Sequence, residues 1–429
     1  MAILEKVSIT PMVLNFSKKM KEINWVEDKN GYYISKIPQI FFDNGEPWLA
    51  ANAYAVNKLE SVKGNNLKTI HSNMNHLKAY ACWLEENNLD WRHFPNKKYD
   101  RCLFRYRGYL IEQRQVGLLS PSTVSARMSA IILFYRWAQT CGWIERQFLW
   151  EDKLKIIKFY NPIGFSRTMS IVSSELSIPN RRTKDTKLES GLLPLSNEDQ
   201  STLLNYLYKE KMIELYFILM IGFFTGARSE TIRSLRLSNI ENAVVDPTTP
   251  SMMRVAVGPG TFVQTKFNVK GDLLFPSFLI NELKRYAYCA RRLRRQIRAK
   301  VENRTYLFLS IRGNSYSETS FTKLISDLRE RLNKAGLTQF KSFKFHQTRA
   351  TFGTQLMKLA IKTLPNPTDA IVFVRDAMLH SHESTTWKYL KFIEKEPIKK
   401  ALSDEFFYLY TGSTSNAELN VLINEIIYD

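Results

Sequence analysis

The chain has 429 residues and carries 61 Lys+Arg against 41 Asp+Glu, a formal net charge of +20. An excess of that size points to a polyanionic partner. Hydrophobic residues make up 44% and Gly and Pro number only 17 and 15. These figures exclude a low-complexity or disordered chain and predict a sizeable core. At ~100–200 residues per domain, the length suggests roughly two to four domains. The four cysteines, Cys82, Cys102, Cys141 and Cys289, are scattered with no CxxC pair. They read as buried thiols in a reducing compartment, neither a disulfide framework nor a zinc site. Met1–Thr10 has no sustained apolar run, so no secretory leader is expected. Leu215–Phe224 is shorter than a membrane span, with Glu214 at its edge, and reads as a buried helix. A soluble, cytoplasmic protein with no membrane partner follows.

Residues 1–60 form an N-terminal segment, made basic by Lys18, Lys19 and Lys21. Gly31–Ile37 and Ile40–Phe42 have the composition of short strands, with turn signals at Asn30-Gly31 and Asn44-Gly45. An arm that contacts DNA and a lid packed on the next domain are both open here.

Residues 61–150 read as a helical domain. Ile70, Met74, Leu77, Tyr80 and Leu84 recur at helical spacing. Ser120-Pro121 is a helix start, with Ser120 as cap and Pro121 in the first turn. Val124, Met128, Ile131, Tyr135 and Ala138 then share a face, and Gly142 is a stop. Arg101, Arg105, Arg107, Arg114 and Arg127 alternate with Phe104, Tyr106 and Tyr109. Solvated arginines on a bundle and a basic face laid on DNA phosphates fit this composition equally. Residues 151–191 have little apolar periodicity, with breakers at Pro162 and Gly164, and read as a linker.

A further domain spans residues 192–400. Ser196 and Asp199 suit a capped helix start, and Leu203, Leu204, Leu207, Leu215 and Ile218 build apolar faces. Met253–Val257, Phe262–Gln264 and Asp272–Phe275 are predicted strands, followed by helices at Ser277–Ala299, Glu318–Ala335 and from His346. The fold class is therefore mainly α with a small antiparallel sheet. Arg291, Arg292, Arg294, Arg295, Arg298 and Lys300 spread around one helix, so many should be solvated. Residues 401–429 contain no Lys or Arg, while Leu419, Leu422, Ile423 and Ile426 share a face. This acidic tail is a packing element, in cis or on a neighbouring subunit.

Three stretches of the second half carry chemistry together. Thr225-Gly226-Ala227-Arg228 sets an arginine after a tight turn. In His346-Gln347-Thr348-Arg349, an imidazole and a guanidinium share a helix face. A guanidinium grips two phosphate oxygens, and an imidazole moves a proton near neutral pH. His380 precedes a Ser/Thr-rich helix start that carries Tyr389. A phenol can attack phosphorus when cations hold the phosphate.

In this order, the three stretches resemble the tyrosine recombinase (phage integrase) family, with its TGxR, HxxR and LGH…TTxxY motifs. The resemblance covers roughly residues 190–400, more weakly the helical domain before it. It implies a helical core-binding domain and a catalytic domain that close as a clamp around duplex DNA. It implies that Arg228 and Arg349 clamp the scissile phosphate, His346 assists proton transfer, His380 hydrogen-bonds the phosphate and Tyr389 attacks. The family's hairpin lysine corresponds to Lys266, the candidate general acid, with Lys270 as the fallback. The product would be a 3′-phosphotyrosyl bond that conserves bond energy, so neither a nucleotide cofactor nor a metal is required.

Three positions depart from the family pattern. Thr231 stands where an acid is common, Thr348 where leucine is usual, and Leu379 where glycine precedes the histidine. The expected activity is site-specific recombination or integration by four protomers on two duplexes, with accessory DNA-bending or directionality proteins as further partners. A type IB-like topoisomerase acting as a monomer and a non-catalytic DNA-binding regulator are the competing expectations.

Overall fold

In the computed structural model, the described residues are 1–394 apart from 11, 18–21, 29–32, 61–65, 146–147, 161–165, 181–187, 189–190 and 382. The chain divides into two compact units, Met1–Lys184 and Asp185–Asp429. The tail at 401–429, Lys18, Lys19, Lys21 and the Asn30-Gly31 turn lie outside the described residues.

In the first unit, β1 (Ile3–Ile9) pairs antiparallel with β4 (Ile34–Phe41), and β2 (Met12–Ser17) with β3 (Glu22–Glu27). Ile34–Phe41 is one strand where two short ones were expected, because Pro38 faces Lys6 without breaking the pairing. Helices α1 (Leu49–Glu60), α2 (Leu67–Glu86), α3 (Cys102–Gln115) and α4 (Pro121–Thr140) follow. The Ser120 hydroxyl accepts from the Thr123 amide at 3.2 Å, so α4 starts where the Ser-Pro signal puts it. The core is aromatic. Trp48 packs against Tyr80, Trp91 and Phe134, and the Tyr80 and Tyr135 hydroxyls meet at 2.9 Å. Burial pushes both phenols well above their usual pKa, so they stay neutral. Ala2, Ile37, Ile40, Trp48 and Tyr54 belong to this same core, so β4 and α1 pack with the helices that follow.

Residues 152–174 are regular, where an irregular stretch was expected. Strand β5 (Asp152–Tyr160) pairs with β6 (Ser166–Ser174), from Asp152 opposite Ser174 to Tyr160 opposite Ser166. Leu154 and Ile156 alternate with lysines, a strand period hidden because its apolar side stays exposed.

The second unit opens with α5 (Asn197–Lys209), α6 (Ile213–Thr225), α7 (Ser229–Ser234) and α8 (Leu237–Glu241). Strands β7 (Val244–Val245), β8 (Met252–Val257) and β9 (Gly271–Pro276) form an antiparallel sheet in that order. Helices α9 (Ser277–Ala287), α10 (Ala290–Arg298), α11 (Glu318–Lys334), α12 (His346–Thr363) and α13 (Pro367–Ala377) follow, then α14 at 383–394. Helices dominate and the sheets are small and antiparallel, as the sequence predicts. The expected strand at Phe262–Gln264 is absent. Its backbone is satisfied elsewhere: Val263 O accepts from the Gly258 amide, and the Gln264 amide donates to Ser234 Oγ.

The arginine-rich helix is a separate element, α10. Arg291, Arg294, Arg298 and Lys300 are exposed, as expected of a solvated run, but two of its arginines turn inward. Arg292 is fully buried and Arg295 nearly so, while Leu293, Ile297 and the following Val301 are exposed. Arg292 donates to the carbonyls of Leu307, Tyr306, Arg304 and Ala287 and to Gln296 Oε1. Arg291 and Arg295 converge on buried Glu214 at 2.7 and 2.9 Å. Arg292 thus pins residues 304–307, and Leu307 and Thr305 in turn hydrogen-bond to Leu235 and Leu237 beyond α7. Removing Arg292 leaves several buried carbonyls without a donor, at ~1–3 kcal/mol each. Arg292→Ala should therefore lower the unfolding free energy from urea titration by roughly 3 kcal/mol or more. A loss within about 0.5 kcal/mol, the usual scatter of surface substitutions, would show that the buried guanidinium contributes little.

Candidate active site

The predicted site residues sit on four pieces of the second unit. Arg228 caps the N-terminus of α7, directly after the turn that ends α6. That turn needs Gly226: its φ is +63°, and an added Cβ would lie 2.4 Å from the Phe352 ring of α12. His346 begins α12, and Arg349 is one turn further on. His380 follows α13, and Tyr389 lies on α14. Lys266 is exposed in the β8–β9 connection.

Arg349 joins the three motifs. It is 2% exposed. Its Nη1 donates to Gly226 O at 2.5 Å and its Nη2 to Met378 O at 2.7 Å. Gly226 is two residues before Arg228, and Met378 is two before His380. One planar fork on α12 therefore sets the spacing of both other motifs. The arginine has five N–H donors, so it can hold two carbonyls and a phosphate oxygen together.

His380 is 7% exposed, and its Nδ1 is hydrogen-bonded to Thr386 Oγ1 at 2.9 Å. Its ring stacks on Tyr389 with centroids 6.1 Å apart and planes 26° apart. Tyr389 is completely buried. It lies so close to α12 that a Cβ on Gly353 would come within 2.5 Å of its Cε1. The candidate nucleophile is thus packed in the core of its unit, and for it to act on a phosphate α14 would have to shift.

Lys266 joins this group through the backbone. Ser234, at the end of α7, accepts the Gln264 amide at 2.8 Å, and so ties the lysine loop to the helix that Arg228 starts. The lysine loop is thereby tied to α7, while Arg349 ties α12 to the backbone at Gly226 and Met378. Ser234 and Thr386 were not singled out in the sequence, nor was Arg375, which bonds Glu383 Oε1 at 2.8 Å across the His380 turn. A Ser, a Thr and an Arg–Glu pair are too common for spacing alone to select them. Only Thr386 has a usable signal, three residues before the tyrosine.

The three departures from the family pattern have local accommodations. Thr348 is fully buried and would touch a Cβ on Gly222 at 2.5 Å, so α6 and α12 approach too closely for a bulkier side chain. Thr231 is buried, and its carbonyl accepts from Ser234 Oγ at 3.0 Å, holding the hydroxyl that supports the lysine loop. Leu379 has φ +50°, the left-handed backbone that glycine takes freely. For leucine this costs ~1–2 kcal/mol. Its side chain reaches Gly271 of β9, where a Cβ would meet Leu379 Cδ2 at 2.5 Å, and packs on the sheet-side core. That apolar contact offsets part of the strain, since Leu379 is half-buried and full burial of a leucine contributes ~1.5–3 kcal/mol.

The geometry meets a family match here. Residues 195–395 match the model of the phage integrase family. These residues form a phage integrase family domain. The integrase domain thus includes every candidate site residue from Arg228 to Tyr389. Among solved structures, the Tn1549 transposon integrase (residues 82–397) in complex with circular intermediate DNA is 15% identical, with 79% of this chain and 94% of that chain covered and a TM-score of 0.50. A lambda integrase (residues 75–356) dimer bound to a COC′ core site is 14% identical, with 79% and 93% covered and a TM-score of 0.47. No curated protein sequence matches the chain. The first likeness bears on the fold alone, and it agrees with the mainly helical architecture.

Proposed function

We propose that this chain is a site-specific DNA recombinase or integrase that cuts and rejoins duplex DNA through a 3′-phosphotyrosyl intermediate. The observation that carries the proposal is Arg349, buried between Gly226 and Met378, which assembles the three phosphate-handling motifs at one place. Tyr389 Oη attacks the scissile phosphorus, and its proton passes to His346 or to water. Arg228 and Arg349 stabilise the added charge on the pentavalent phosphate, and His380 donates a hydrogen bond to it. The bond from phosphorus to O5′ breaks, and the Lys266 ammonium protonates O5′ as it leaves. Reversal with a different 5′-hydroxyl completes the exchange.

The partner is double-stranded DNA, which suits the +20 charge and agrees with the DNA-bound state of the solved integrases. Strand exchange between two duplexes calls for four protomers, with DNA-bending or directionality proteins as accessories. A helical core-binding domain at about 61–150 and the catalytic domain at 192–400 would form the clamp, in a cytoplasmic protein. Among the described residues no helix is long and apolar enough to cross a membrane.

The test is to trap the reaction on duplex DNA that carries a nick just beyond the cleaved phosphate. The small released fragment diffuses away and leaves a covalent adduct. Proteolysis and mass measurement should place the adducted nucleotide on the peptide containing Tyr389. An adduct on any other residue would refute the assignment, and relaxation of plasmid with no site preference would move it to a topoisomerase.

A further inference from the structure

We propose that Phe267 is a positioning residue for the Lys266 ammonium. This inference rests on Lys266 as the proton donor to the leaving oxygen, and it adds a part to that step.

The β8–β9 connection is braced on both sides of Lys266 and left bare at its tip. Ser234 holds Gln264, and Thr265 Oγ1 donates to Val269 O at 2.6 Å while its carbonyl accepts from the Asn268 amide at 3.2 Å. Between these braces Lys266, Phe267 and Asn268 are all exposed. Phe267 is 75% exposed, a large apolar area for a ring with nothing to bury it. Its φ is +64° and that of Asn268 is +53°. Asparagine adopts this conformation readily, but a bulky aromatic seldom does. Glycine would close the same turn without strain, so the ring itself is in use where it stands.

Its one described ring contact is with the lysine. Lys266 Nζ lies 5.0 Å from the Phe267 ring centroid, within cation–π range. Among the described residues Lys266 has no carboxylate partner. A lysine on four rotatable bonds, in water and without an ion pair, samples many rotamers. The ring face narrows that set while leaving the ammonium protonated and able to donate. A carboxylate in the same place would hold the ammonium more firmly but would compete with the phosphate for it.

The step balances as follows. The Tyr389 Oη–P bond forms, the P–O5′ bond breaks, and one proton moves from Lys266 Nζ to O5′. Phe267 takes no part in bonding and acts only through the position of Nζ. Its effect should therefore vanish when the leaving atom needs no proton. A substrate with sulfur in place of the bridging O5′ provides this, because a thiolate leaves unprotonated at neutral pH.

The experiment compares Phe267→Ala, Phe267→Leu and Lys266→Ala in the full chain on oxygen- and sulfur-bridged nicked duplexes, with DNA affinity measured separately. On the oxygen substrate, Phe267→Ala and Phe267→Leu should cleave about two- to fivefold more slowly at saturating DNA, the range of an exposed cation–π contact. Lys266→Ala should lose on the order of 10²-fold or more. On the sulfur substrate all three should cleave at the parent rate, with affinity within about twofold throughout, as for a side chain acting only through Nζ. Phe267→Tyr keeps the ring face and should behave as the parent on both. The proposal fails if the Phe267→Ala defect persists with sulfur, or if it is a loss of affinity, because the ring would then be a DNA contact. Failure of sulfur to rescue Lys266→Ala would instead remove Lys266 from the proton-donor role, and the proposal with it. The adduct at Tyr389 is scored independently of both results.

Discussion

Tyr389→Phe should remove the covalent adduct completely while leaving the fold and the DNA affinity unchanged. The ring is fully buried against Gly353 and stacked on His380, so its packing rests on carbon atoms that phenylalanine keeps. The only loss is one oxygen, and that oxygen is the proposed nucleophile. Loss of a nucleophile in such a unit lowers rates on the order of 10⁶-fold, below the detection limit of a gel-based adduct assay. Gel-shift affinity and thermal midpoint serve as controls. An adduct formed by the phenylalanine variant would place the attacking group elsewhere.

Arg349→Ala should damage both assembly and chemistry. The carbonyls of Gly226 and Met378 would lose their donor in a buried setting. Each unsatisfied group costs ~1–3 kcal/mol, and the cavity adds to that. A loss of about 3–5 kcal/mol is expected, which is a large share of a domain's stability. Adduct formation should fall by about 10³-fold or more even below the melting range, because the proposed phosphate clamp disappears as well. Arg349→Lys separates the two roles. Lysine keeps the charge but has no planar fork, so it can hold one carbonyl well and not both. It should recover part of the stability and little of the activity. If Arg349→Lys restored full cleavage, charge alone would be sufficient and the bracing of the two carbonyls irrelevant to rate. Urea unfolding and single-turnover cleavage measure the two effects separately.

The candidate site could be named from the sequence because the proposed chemistry restricts residue types. Phosphoryl transfer to a phenol needs arginines, a histidine and a tyrosine, and few alternatives serve. Arg228, His346, Arg349, His380 and Tyr389 could therefore be singled out from motif order before any contact was known. Elements of both units were legible where burial follows period, as in α2, α4 and α11. They were not legible where it does not. Helix α10 buries arginines and exposes Leu293 and Ile297, because the carbonyls of 304–307 and the Glu214 carboxylate accept its N–H groups. A polarity pattern places Arg292 and Arg295 on the wrong face. The β5–β6 ribbon has exposed apolar positions, so its alternation marks no core. Leu379 in a glycine conformation is explained only by its contact with Gly271, far away in sequence and adjacent in space. The link from Ser234 to Gln264 is a hydroxyl-to-backbone bond and leaves no trace in residue type.

The burial of Tyr389 has a kinetic consequence. With the phenol packed at 0% exposure, cleavage is the product of two quantities: the fraction of molecules with α14 released, and the intrinsic rate of those molecules. Each 1.4 kcal/mol spent on release divides the observed rate by about ten. A release cost of about 2.8 kcal/mol would leave roughly one molecule in a hundred poised at any instant. A partner that favours the released position speeds cleavage without touching a reacting atom, and one that favours the packed position silences it. For a protein proposed to break DNA strands, control of this kind needs no change in the chemistry. With Tyr389 as the proposed nucleophile, the packed position is the silent one, and the free energy of release would come from whatever the chain binds.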